Sequence, residues 1–105
     1  MSGKDVDRMR RKAQLLEREV EAAKKALKGM AVEGTAADGR VRACASGDQT
    51  LLSLEIAPEL VDRARTEELK AVLLEAVNAA LDRSKELART EIARATGGVR
   101  IPGLT

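Results

Sequence analysis

A chain of 105 residues without one Phe, Tyr or Trp must build its core from aliphatic side chains and alanine alone. Its apolar set holds 18 Ala, with only 27 Val, Ile, Leu and Met and the single Cys44 beside them. At roughly 25 cal/mol per Å² of apolar surface buried, side chains this small struggle to offset the entropy of ordering the backbone. Such a chain gains apolar area by association with a second copy, so a homodimer is expected. Its length allows one domain, 1–105.

The same absences restrict the chemistry. There is no His, and Cys44 has no partner thiol. Imidazole general bases, His/Cys zinc sites and a disulfide framework are therefore excluded. Without aromatic rings there is no stacking platform for single-stranded nucleic acid. No nucleophile and base can be paired, so neither an enzyme nor a cofactor nor a small-molecule substrate is expected. The carboxylates of 55–68 lack the regular loop spacing of a metal site, and none is expected there. Cys44 has no neighbouring basic group in the pattern and reads as structural.

Hydrophobic spacing gives an α+β chain of order α-β-β-β-α. Over 3–30, Val6, Met9, Ala13, Leu16, Val20, Ala23, Leu27 and Met30 recur at alternating steps of three and four. That is a heptad seam, flanked by Arg10, Lys12, Glu17, Glu19 and Lys24. Ser2 with Asp5 forms a plausible capping pair and Gly29 marks the exit. A helix of this span is about 40 Å long, more than so small a body can cover, so part of it should project. Residues 31–57 switch to period two, with turns at Ala37-Asp38-Gly39 and Gly47-Asp48-Gln49. They read as a three-stranded antiparallel meander (31–36, 40–46, 51–57), one face of which the flanking helices should cover. Pro58 ends the third strand, and Glu59 to Asp62 can form one helical turn. Thr66 reads as the N-cap of a second long helix over 66–96, with Glu67 and Glu68 in its first turn. The first half of that helix is broadly apolar and belongs to the body, whereas the second half is sparse and should extend from it. Gly97-Gly98 stops the helix, and 97–105 form a short tail.

Charge is nearly balanced in total, at +2, but unevenly distributed. Residues 1–30 carry nine Lys or Arg against five acids, 31–81 carry five against nine, and 82–105 carry five against three. Two basic ends around an acidic middle point towards nucleic acid. Lys4, Arg8, Arg10, Arg11 and Lys12 are the leading DNA-binding candidates. Arg8, Arg11 and Arg18 fall on outward heptad positions. Guanidinium and ammonium groups on a projecting helix can meet phosphates and release counterions. The plainer reading is a solvated face, with Asp7 close in sequence to Arg10 and Arg11. Arg83, Lys85, Arg89 and Arg94 form a second cluster, for which pairing within the helix with Asp82, Glu86 and Glu91 accounts for most of the charge. Lys24, Lys25 and Lys28 lie near the sheet and read as solvation of the body. The charged N-terminus does not read as a signal peptide, and no apolar run spans a bilayer, so a cytoplasmic protein away from membranes is expected.

Certain residues in the middle of the chain resemble a known family. Val32-Glu33-Gly34-Thr35-Ala36, then Gly39-x-Val41, then Ile56-Ala57-Pro58-Glu59-Leu60-Val61-Asp62 are similar to the middle of the YbaB/EbfC nucleoid-associated proteins. So are Val77-Asn78-Ala79-Ala80-Leu81, the Thr96-Gly97-Gly98 stop and the Pro102-Gly103-Leu104 ending. The likeness runs from about Arg8 to Leu104. It implies a small bacterial homodimer whose sheet regions associate while helical arms project like tweezers. It also implies binding of double-stranded DNA, a place in the nucleoid with effects on its organisation and on gene expression, and no catalytic residues. Two features depart from the family pattern. The first helix is more heavily charged, and Ala43-Cys44-Ala45 stands where bulkier strand formers are commoner. The competing account is a protein-interaction adaptor that docks a partner on its amphipathic helices, for which the modest net charge speaks.

Overall fold

In the computed structural model, which describes residues 3–98, the chain forms α1 (Gly3–Leu27), β1 (Ala31–Ala36), β2 (Val41–Ser46), β3 (Leu51–Ile56) and α2 (Thr66–Ala95). The strands make one antiparallel sheet in the order β1-β2-β3. The α-β-β-β-α order is therefore the one the spacing predicts. The Ser2 half of the predicted cap and the tail from Val99 onward lie outside the described residues.

The boundaries differ where local hydrogen bonding overrides the pattern. α1 stops at Leu27 and not at Met30, because Gly29 N–H and Met30 N–H close a turn onto the carbonyls of Ala26 and Leu27, at 3.0 and 3.1 Å. Thr66 is not the N-cap. The segment from β3 folds into two 3-10 turns, Pro58–Leu60 and Arg63–Arg65, and the second runs directly into α2. Arg65 thus takes the cap position, while the Thr66 hydroxyl donates backward to the Arg63 carbonyl at 3.4 Å. Asp62 caps the preceding turn instead, accepting from Ala64 N–H at 2.9 Å.

The core is a layer of small residues. Cross-strand partners Gly34, Ala43 and Leu54 stand in one row and Ala36, Val41 and Ile56 in the next. Ala36, Val41, Ala43 and Ala45 are buried against Ala76 and Ala80 of α2. At Gly34 the helix backbone itself rests on the strand. A Cβ there would lie 2.5 Å from the Ala76 carbonyl oxygen and 2.8 Å from the Ala79 carbonyl carbon. The departure at Ala43 and Ala45 has its reason here: an approach this close leaves no depth for a branched side chain beneath the helix.

Cover of the sheet comes from α2 and falls on β1 and β2, whereas α1 packs on α2. The expectation that both helices roof the sheet is therefore corrected, and β3 keeps an open apolar surface. Leu51, Leu52 and Leu54 are 43%, 55% and 40% exposed. α2 adds to that surface from its flank. The Arg83 guanidinium reaches the Glu33 carbonyl of β1 at 3.0 Å, and Ser84 faces the β2–β3 turn. Leu73, Val77 and Leu81 precede Ser84 at steps of four, four and three, so they lie on its side of the helix, and Leu74 beside them is 63% exposed.

A polar knot fastens the β2–β3 turn to both helices. The fully buried Ser84 hydroxyl donates to the Ser46 carbonyl at 2.5 Å and accepts from Gln49 N–H at 3.1 Å. Gly47 N–H reaches the last carbonyl of α1, Leu27, at 3.0 Å. A Cβ on Gly47 would strike that residue, 2.6 Å from its carbonyl oxygen. Within the knot the Ser46 hydroxyl donates to the Asp48 carboxylate. That bond, assisted by Thr50 and the charge of Lys28, holds the Asp48 carboxyl below its ordinary value of 3.8 against a smaller opposing effect of desolvation. A depressed carboxyl stabilises the fold fully above the unfolded value and loses that contribution as pH falls through the folded one. Asp48→Asn is therefore expected to flatten the loss of stability below pH 3.8, measured as urea midpoints at several pH values. An unchanged acid slope would show that Asp48 is not part of it.

Candidate nucleic-acid interface

The molecule measures 73 × 21 × 17 Å, an elongation built from the 30 residues of α2 and the 25 of α1. The C-terminal end of α1 and the middle of α2 meet at the Gly47 turn, and from there both helices run outward side by side. Leu16 is half-buried and Val20 and Leu27 are buried along this pairing. α2 ends at Ala95, where Gly98 N–H closes onto the Ala93 carbonyl at 2.8 Å and both Gly97 and Gly98 take positive φ. At 1.5 Å per residue, α1 outruns α2 by about 20 Å. Every residue from Gly3 to Leu15 is exposed, Val6 and Met9 of the seam included, at 39% and 61%. The seam is therefore used for packing only from Leu16 inward.

The six N-terminal candidates, Lys4, Arg8, Arg10, Arg11, Lys12 and Arg18, are all exposed on α1, and all but Arg18 lie on its bare stretch. Among the described residues none of the six takes part in an ion pair, so pairing of Asp7 with Arg10 or Arg11 does not form. The second cluster is placed differently. Arg83 lies over the sheet and is tied to Glu33, not carried on an arm. Arg89 pairs with Glu86 at 2.5 Å and Arg94 with Glu91 at 3.1 Å, each one turn away. Lys85 alone of that cluster is exposed with neither an ion pair nor a side-chain hydrogen bond among the described residues. Exposed pairs of this kind contribute well under 1 kcal/mol and can yield to a phosphate, but they begin neutralised. The N-terminal cluster begins unneutralised.

The acids of the middle lie elsewhere. On the open face of the sheet Arg42 bridges Glu33 at 3.6 Å and Glu55 at 2.7 Å. Among the described residues no group of three or more Cys, Asp or Glu could hold a metal ion, and no helix is long and apolar enough to cross a membrane. What the arrangement offers is a rod of positive charge held clear of a body that carries most of the negative charge. A polyanion can approach it without meeting the acidic residues of the body.

Comparison with known proteins bears on this geometry. The model of the YbaB/EbfC DNA-binding family matches residues 2–99. A nucleoid-associated protein of Thermoanaerobacter pseudethanolicus is 39% identical over 102 residues, covering 97% of this chain and 92% of that protein. One from Myxococcus xanthus is 39% identical over 105 residues and covers both chains fully, and one from Desulforamulus reducens is 38% identical over 104 residues, or 99% of each.

Proposed function

Since the chain belongs to the YbaB/EbfC DNA-binding family, we propose that it binds double-stranded DNA at the bacterial nucleoid as a homodimer, gripping the duplex with the bare half of α1 and so influencing nucleoid organisation and gene expression. The family is one of DNA-binding proteins, not enzymes. The observation that carries the reading is the set of unpaired cations at the projecting end of α1. Each phosphate they meet releases counterions and steepens the fall of affinity with salt by about 0.9 log units per log unit of salt. Phosphate contacts of this kind position a protein without reading sequence, so any base preference is modest and follows groove shape. The cations of α2 are secondary contacts, of which Arg89 and Arg94 are freed only when phosphate displaces Glu86 and Glu91.

The open surface of β3 and the flank of α2 support the dimer. It is apolar and placed at the edge of the sheet, and a second copy seated on it would supply the buried area that an aromatic-free core lacks. With both body surfaces joined there, the arms of the two protomers remain free at the far end.

Electrophoretic shift of a short duplex, repeated between dilute and concentrated salt, tests the reading. The expected result is a shift that weakens steeply as salt rises and is largely lost in the variant Lys4→Ala/Arg8→Ala/Arg11→Ala. No shift even in dilute buffer would leave the adaptor account, in which exposed Val6 and Met9 dock a protein partner.

A further inference from the structure

The cations of α1 are not equivalent, and the heptad separates them. With Val6, Ala13, Val20 and Leu27 at one seam position, the position diametrically across the helix is occupied by Lys4, Arg11, Arg18 and Lys25. All four are exposed and none takes part in an ion pair among the described residues. One other outward position, Arg8, Leu15, Ala22 and Gly29, carries a single charge, and the rest are mixed in sign. The columns beside the seam read Arg10, Glu17, Lys24 and Asp5, Lys12, Glu19, and another outer column reads Asp7, Gln14, Glu21, Lys28. Ion pairs on a helix form three or four residues apart, between columns and not within one. Lys4 and Arg18 each have an acid three residues on, Asp7 and Glu21, yet neither pair forms among the described residues, so the column keeps its charge uncompensated. Arg8 adds to the cost, standing four residues from Lys4 and three from Arg11, and like charges so spaced destabilise a helix.

Resting on the DNA-binding reading, we propose that the duplex lies along this one column, from Lys4 at the tip to Lys25 at the root, and that Arg10 and Lys12 are not phosphate contacts. The column faces away from the seam that packs on α2, so it is the side a duplex can approach along the whole helix. Its members stand about 10.5 Å apart and span about 31 Å, close to one turn of B-form DNA at 34–36 Å. Lys25 is thereby a DNA contact, although it sits on the packed half of α1 beside lysines that solvate the body. The occupant is a duplex, because the surface offers regularly spaced charge without the aromatic stacking that single strands require.

The test compares salt slopes in two variants of the full chain. Arg11→Gln/Arg18→Gln/Lys25→Gln is expected to lower the slope of log affinity against log salt by about 2.7 per protomer, three contacts at about 0.9 each. Arg10→Gln/Lys12→Gln is expected to change it by less than one contact, about 0.9. Glutamine is a good helix former and all five positions are exposed, so circular dichroism of each variant should match the parent. Equal losses per residue in the two variants, or no loss from Lys25→Gln alone, would overturn the column while a salt-sensitive parent shift upheld DNA binding. A parent that never shifts would remove both.

Discussion

Replacing Gly34 by Val is expected to unfold the protein or to lower its melting temperature by 15 °C or more, roughly, as followed by the helical signal on heating. The substituent must enter a space already filled by the backbone of α2, and its Cβ alone would lie 2.5 Å from the Ala76 carbonyl oxygen. A flexible side chain could swing aside, but helical backbone cannot. α2 would have to lift off β1, and the buried layer of Ala36, Val41, Ala43, Ala45, Ala76 and Ala80 would open with it. Overpacking of a core costs about 1–3 kcal/mol when side chains can adjust, so about 3 kcal/mol is a lower bound here. In a domain of this size each kcal/mol lowers the midpoint by about 4–8 °C. Gly29→Ala is the control, since a Cβ there meets only the Ala26 carbonyl at an ordinary 3.6 Å. Its midpoint should move by no more than a few degrees. If Gly34→Val melts with the parent, the close approach of helix and strand is wrong.

The second large effect concerns the open strand. The parent chain is expected to sediment at about twice 11.3 kDa at micromolar concentration, and Leu52→Glu/Leu54→Glu at 11.3 kDa. In a single chain both side chains already face water to about half their area, so glutamates there are solvated and the fold survives. In a dimer closed over β3 the two protomers would bury four carboxylates without partners, which no apolar contact of that size offsets. Loss of the second arm should weaken duplex binding by tenfold or more, because two linked contacts become one. A variant that remains a dimer would place the self-association on another surface. A parent that sediments at 11.3 kDa would remove the homodimer.

Much of this was legible in the spacing of residues. The seam from Val6 to Met30 marked α1 and its excess length, and Gly39 and Gly47 fixed the meander to within a residue. Which part of the seam would be covered was not legible, because that depends on where α2 ends relative to α1. Val20 and Val6 occupy the same heptad position, yet one is buried and the other bare. Nor could the pattern show that the roof sits over β1. Leu52, Leu54 and Ile56 carry the alternation of a covered strand, and only the contact at Gly34 shows which strand the helix chose. An isolated glycine inside a strand was the available signal for that contact. The basic ends were visible as composition, and the i,i+3 spacing already pointed to the pairing of Arg89 with Glu86 and of Arg94 with Glu91. The tie of Arg83 to the Glu33 carbonyl was not legible, because it depends on where α2 lies over β1.

The way α1 is attached sets how it can respond to a curved duplex. Among the described residues its anchorage is the stretch from Leu16 to the knot at Gly47, so the remainder behaves as a cantilever. A tilt of 10° about Leu16 would carry Lys4 through about 3 Å, nearly one base-pair step, while Lys25 would scarcely shift. Curvature of the bound DNA would thus be accommodated almost entirely at the tip, leaving the register at the base unchanged.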